Sequence, residues 1–298
     1  MRTVSRLFVA LITTPVLSMP APAETGVFSK HMPAERSGRV QISNVSGSVK
    51  VQAWDRAEID VQARLWSGLE RIDISQEKGR SVINVVLPQN SNGNGGAELE
   101  VRVPAESQVE VAAVSAPIIT KGVHGAIRLQ SVSGSIESDV AVSEMDAKTV
   151  SGSIVLHGNG QPAEMRLSTV SGGISLTHSA GSVEANTTSG SLDLNLEPAR
   201  LVRVRTISGA LTLSGRLSRD ARIEAETVSG RLSVQAAAEG GFQYDVATFS
   251  GGIQNCFGAE AVRTSEYAPG RQLNGKRGAG QASVRLKALS GGIDLCDR

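Results

Sequence analysis

The chain has 298 residues, 40% hydrophobic, 20% charged and only 3% aromatic, with 32 glycines. Thirty basic residues stand against 29 acidic ones, a formal charge of +1, so no electrostatic case exists for nucleic acid or an anionic membrane as partner.

Residues 1–23 read as an export leader. Arg2 and Arg6 form a basic start, Leu7 to Leu17 is mostly apolar, and Ala21-Pro22-Ala23 fits a small-residue cleavage site before Glu24. The apolar run is too short for a membrane span, no later run approaches that length, and no cysteine stands after it that would carry a bacterial lipid anchor. Loss of Arg2 and Arg6 leaves 28 basic against 29 acidic residues, a formal charge of −1. The expected location is the periplasm or the cell surface.

Residues 24–113 read as a β-rich N-terminal cap continuous with the repeat region at 114–298. Val40, Ile42, Val45, Val49 and Val51 alternate around Ser46-Gly47, and strand-like runs stand at Glu58–Leu65, Leu69–Ser75, Ser81–Leu87, Ala97–Val103 and Gln108–Val114. Trp54 and Trp66 are expected to pack in this cap.

From residue 114 to 298 the chain keeps a clock. Ser-Gly recurs at Ser133, Ser151, Ser171, Ser189, Ser208, Ser229, Ser250 and Ser290, at spacings of 18, 20, 18, 19, 21, 21 and 40, with a degenerate copy at Ser115-Ala116-Pro117. A fixed period near twenty residues marks a repeat architecture. Apolar residues alternate on both sides of each serine: Ile127, Met145, Met165 and Val183 belong to the column six before it, and Ile136, Ile154, Ile174 and Leu192 to the column three after it. That alternation is strand periodicity, so each repeat is two short strands around a corner. One coil cannot bury its own apolar side, whereas stacked coils share one core. The expected fold is an all-β, parallel β-solenoid of about 18–21-residue coils, right-handed as parallel crossovers overwhelmingly are.

The repeats align in four further columns. The corner glycines Gly47, Gly134, Gly152, Gly172, Gly190, Gly209, Gly230, Gly251 and Gly291 are expected to supply a positive φ. One residue before the serine stands another apolar column, Val132, Val150, Val170, Thr188, Ile207, Val228, Phe249 and Leu289. Two before it comes a threonine column (Thr149, Thr169, Thr187, Thr206, Thr227, Thr248), read as packing or as a hydroxyl ladder. Five before it stand Glu110, Arg128, Asp146, Arg166, Glu184, Arg203, Glu224, Asp245 and Arg285, which alternate in sign apart from the step from Glu224 to Asp245. Stacked in chain order they form an outward charge ladder that fixes coil register.

Cys256 and Cys296 each lie six residues after their serine. If the Ser290 coil stacks on the Ser250 coil, the two fall within disulfide range and Arg285 stands beside Asp245. Between these coils, residues 257–280 depart from the repeat, as a degenerate coil or a protruding loop carrying Arg263, Arg271, Lys276 and Arg277.

His31, His124, His157 and His178 are scattered, and no nucleophile elbow, metal motif or phosphate-binding loop occurs. No catalytic residue, cofactor or metal site is therefore assigned. The recurring T-V-S-G-S-I, the opening N-V-S-G-S-V-K-V-Q-A-W-D (Asn44 to Asp55), the strand ends V-V-L-P and V-R-V-P, and the closing L-S-G-G-I-D-L are similar to the bacterial candidate-adhesin β-solenoid family of domains of unknown function. The resemblance implies an exported or envelope-associated solenoid without established catalytic residues. The expected function is a non-enzymatic adhesion, binding or scaffold module for an envelope protein or polysaccharide. The alternatives are an envelope-stress sensor and a carbohydrate-active β-helix enzyme. The enzyme would need a carboxylate cluster and aromatic subsites from a chain with two Trp and two Tyr.

Overall fold

A computed structural model of the chain describes residues 26–66, 71–87, 95–141 and 144–297. The expected leader, residues 1–23, lies outside them.

Two parallel walls of strands meet at the Ser-Gly corners. The wall before the corner stacks Arg39–Asn44, Gln108–Ala113, Ile127–Gln130, Glu144–Lys148 and Pro162–Thr169. The wall after the corner stacks Gly47–Trp54, Ile118–Lys121, Ile136–Val140 and Ile154–Gly158. Further along, the far corner straightens into a bend. Ile174–Thr187, Leu192–Thr206 and Leu211–Thr227 are single strands of 14, 15 and 17 residues that serve both walls, with register shifts where they bend. Alternation does the packing: Val183, Val202 and Ile223 point into one continuous core that runs from Met32 to Leu295. The chain is thus a β-solenoid.

Both ends are closed by antiparallel strands, which hide the open core and protect the edges. At the N-terminal end Arg71–Glu77 pairs with Arg80–Val86, and Glu58–Leu65 lies between Gly26–Pro33 and Ala97–Pro104. Trp54 is half-buried there, its indole N–H donating to the Glu58 carbonyl at 2.8 Å and Arg56 lying over its ring. Trp66 departs from expectation and is exposed. At the C-terminal end, residues 257–280 form neither a coil nor a free loop. Arg271–Gly278 runs antiparallel along Gly241–Thr248 and carries the short strand Val262–Arg263 on its other side.

The stacking order departs from the chain order at both ends. At the N-terminal end Arg80–Val86 and Ala97–Pro104 stack on the outer side of Arg39–Asn44 and Gly47–Trp54, whose inner neighbours are Gln108–Ala113 and Ile118–Lys121. At the C-terminal end the last coil is displaced. Ala282–Ala288 pairs with Leu211–Thr227 on one side and with Gly241–Thr248 on the other. On the second wall Ile293–Cys296 likewise lies between Leu232–Ala238 and Ile253–Asn255. The last coil of the chain is therefore the second-last coil of the rod. Chain order misplaces it because each coil carries the same apolar columns, so the core accepts either order.

Candidate interaction surface

The corner is built from three columns that act together. The corner glycines differ from expectation: of the nine, only Gly47 has a positive φ, at 100°. The other eight are glycine for want of room. A Cβ on Gly152, Gly172, Gly190, Gly209 or Gly230 would come closer than 3.0 Å to the carbonyl of the corner glycine one coil away, and Gly134 would meet the Ala116 carbonyl in the same way. Gly291 meets Gly230, and Gly251 meets Gly291, again in the transposed order. The glycines let backbone stack on backbone at the corner.

Beneath them the threonine column works as a cap. The hydroxyls of Thr149, Thr169 and Thr187 accept from the N–H of Gly152, Gly172 and Gly190 at 3.0 Å, and Ser131 does the same for Gly134 at 2.9 Å. Thr248 donates to the Gly291 carbonyl at 3.1 Å. All five side chains are buried; the bonds of Ser131, Thr149, Thr169 and Thr187 hold their own tight turns locally, and that of Thr248 ties its corner to the neighbouring coil. The hydroxyls of Thr206 and Thr227 find no such partner among the described residues.

The apolar column between the threonine and the serine points outward. Backbone bonds from each serine N–H to the residue one coil away put it in order: Val45, Val114, Val132, Val150, Val170, Thr188, Ile207, Val228, Leu289, Phe249. Nine of these ten are large apolar side chains, exposed from 37% at Val45 to 55% at Phe249. They form one ridge along the rod, apolar at every rung but Thr188. Alternation contains the signal: the column lies out of phase with the inward positions four and six before the serine. On one side of the ridge runs a groove of about 520 Å³, walled by Val170, Thr188, Ile207 and Val228 on the ridge and by Ser168, Asn186, Arg205 and Glu226 opposite, with buried threonines as its floor.

The charged column five before the serine stands on the wall ahead of the corner. Gln41 begins it, donating to Glu110 at 2.7 Å. Arg128 stands between Glu110 and Asp146, Arg166 between Asp146 and Glu184, and Arg203 between Glu184 and Glu224. The expected like-charge step does not occur, because the transposed coil inserts Arg285 between Glu224 and Asp245. Three ion pairs close along the column, Arg128–Asp146 at 3.6 Å, Arg203–Glu224 at 3.3 Å and Arg285–Asp245 at 3.4 Å. Arg166 turns sideways to Glu144 at 2.9 Å and Glu164 at 3.8 Å. Every partner is at least partly solvated, so these pairs specify register more than they stabilise.

Cys256 and Cys296 are joined in a disulfide with Cα atoms 4.9 Å apart, linking the last two coils of the rod. Beside it Arg277 pairs with Asp297 and lies over the Phe257 ring. The other basic residues of the expected cluster do not converge. Arg263 and Arg271 face each other across their strand pair, away from Lys276 on the far stretch of the hairpin. Among the described residues no group of three or more His, Cys, Asp or Glu side chains is arranged to hold a metal ion, and no helix is long and apolar enough to cross a membrane.

The stacked corners, shared core and capped ends define a β-solenoid repeat protein. The chain belongs to the Toastrack family DUF4097, which matches residues 70–296. No curated protein matches it. Solved structures similar to it include a candidate adhesin from Parabacteroides merdae, 11% identical, covering 90% of this chain and 95% of that one with a TM-score of 0.42. A candidate adhesin from Parabacteroides distasonis is 8% identical over 91% and 98%, with a TM-score of 0.42. A candidate cell adhesion protein from Clostridium sporogenes is 10% identical over 92% and 100%, with a TM-score of 0.32.

Proposed function

We propose that this chain is an exported, non-enzymatic binding and scaffold module of the cell envelope, a stiff rod that engages an envelope protein or polysaccharide along its side. The observation that carries this reading is the exposed ridge from Val45 to Phe249. Soluble monomers rarely expose contiguous apolar surface beyond a few hundred Å², and larger patches mark interaction sites. The disulfide supports an oxidising compartment, where such bonds persist.

The test is capture from the native envelope. Tagged chain is expressed in its own host, cross-linked, and recovered from fractionated cells, alongside a variant with Val150→Asp and Val228→Asp on the ridge. The tagged chain is expected in the envelope fraction, beginning near Glu24 by intact mass, with a cross-linked set that the ridge variant loses. The same captured set from both chains would overturn the reading, as would retention of the chain in the cytoplasm.

A further inference from the structure

We infer that the ridge is where two copies of this chain pair side by side, parallel and in register. The inference rests on reading the ridge as a contact surface and adds its occupant.

The ridge repeats once per coil, at the strand spacing of about 4.8 Å, over ten rungs or roughly 43 Å. A side chain every 4.8 Å matches few surfaces over that length. A second copy matches it at every rung, because the same hydrogen-bonded stack sets both spacings.

The area is sufficient for a specific contact. With one flanking column on each side the strip is about 17 Å wide at strand dimensions. A strip of that size covers roughly 700 Å² per partner, close to the 800 Å² of a standard specific interface.

Charge then selects the direction. Before the ridge, three residues ahead of each serine, the exposed column includes Lys148, Arg205, Glu226 and Lys287. After the ridge, two residues past the serine, the column is nearly all Ser, Gly and Ala, with Arg231 its one charge. A two-fold axis along the rods sets the first column of each copy against the second column of the other. Lys148, Arg205 and Lys287 then face small neutral residues, and Glu226 faces Arg231 of the other copy, twice by symmetry. Antiparallel rods would instead bring the two charged columns together, with cations dominating both.

The experiment uses the mature, disulfide-bonded chain, whose two cysteines are already joined. Sedimentation equilibrium is expected to show a dimer. Val132→Cys, Val170→Cys and Val228→Cys, made singly, are each expected to give a covalent dimer under oxidation or with a short bis-maleimide, since in register each position faces its own copy. Gln161→Cys, at the far corner, is expected to give none. Ile207→Lys, folded by circular dichroism, should raise the dimer dissociation constant at least tenfold. A monomer at every concentration up to about 100 μM overturns the inference. Cross-linking at only one of the three ridge positions also overturns it, because antiparallel rods meet their own copy only near the axis. Neither result touches the envelope capture, which reads the ridge as a contact surface whatever its occupant.

Discussion

Arg285 lies directly opposite Glu224, while Asp245, far nearer to Glu224 in the chain, is one rung further away. The ladder is thereby alternating throughout, and its weak point becomes a test of coil order. Arg285→Glu would set three acids on consecutive rungs, at a cost of up to about 1 kcal/mol per like-charge contact, more at low salt than high. The second change Asp245→Arg would face only the new acid on the parallel side, with Asn274 across the antiparallel pair. Glu224→Arg would face the new acid and Arg203 together. Melting temperatures at two salt concentrations should show fuller rescue by Asp245→Arg. Equal rescue would mean that Arg285 does not sit between the two acids.

Crowding, and not conformation, fixes the corner glycines. Gly172→Ala puts a methyl group onto the Gly152 carbonyl and should cost several kcal/mol, in the range of backbone strain and overpacking. Gly252→Ala, with nothing within 4 Å of the new atom, should stay within about 0.5 kcal/mol of the parent. Chemical denaturation of the two variants separates the outcomes.

The threonine caps predict an isosteric penalty. Thr169→Val keeps the shape but leaves the Gly172 N–H without its acceptor, a loss of about 1–3 kcal/mol. Thr169→Ser retains the oxygen and should recover most of it. Equal losses for valine and serine would show that the methyl group matters and the hydroxyl does not.

Inward and outward columns differ in the same way along the after-corner wall. Leu194 is fully buried and Asp193 beside it is exposed. Leu194→Asp, an unpaired carboxylate in the aliphatic core, should abolish folding, while Asp193→Asn should be nearly silent. Circular dichroism of both proteins is sufficient.

The disulfide closes a sequence separation of 40 residues. By the chain-entropy relation its loss in a Cys256→Ser, Cys296→Ser protein should cost about 4 kcal/mol. The loss should concentrate at the C-terminal end, because a solenoid's stability is a sum over neighbouring coils. Hydrogen exchange should show faster exchange in Gly241–Thr248 and Ile293–Cys296, with Ile154–Gly158 unchanged.

The repeat was legible because period and alternation are one-dimensional. Val183 and Leu194 declare an inward face by spacing alone, and the ladder at Glu110 to Glu224 comes with it. What the sequence leaves open is three-dimensional. The transposition of the last coil is invisible because the Ser250 and Ser290 coils carry the same columns, and only the sign of Arg285 against Glu224 and Asp245 hints at it. The reason for the corner glycines was also hidden, since a turn needing φ > 0 and a turn lacking room both select glycine. The ridge lay in plain sight as an apolar column at Val132 and Val150, but apolar character suggests burial until phase is considered.

The transposed coil also sets an order of assembly. A solenoid can be laid down coil upon coil as the chain emerges, each new turn docking on the one before. Here Gly241–Thr248 reaches its final neighbour only after Ala282–Ala288, which follows it in the chain, has taken its place between it and Leu211–Thr227. The final turn acts as a keystone. Growth proceeds in order from Gln108–Ala113 through Leu232–Ala238, and a chain cut short before residue 282 lacks the strand on which Gly241–Thr248 stacks in the finished rod.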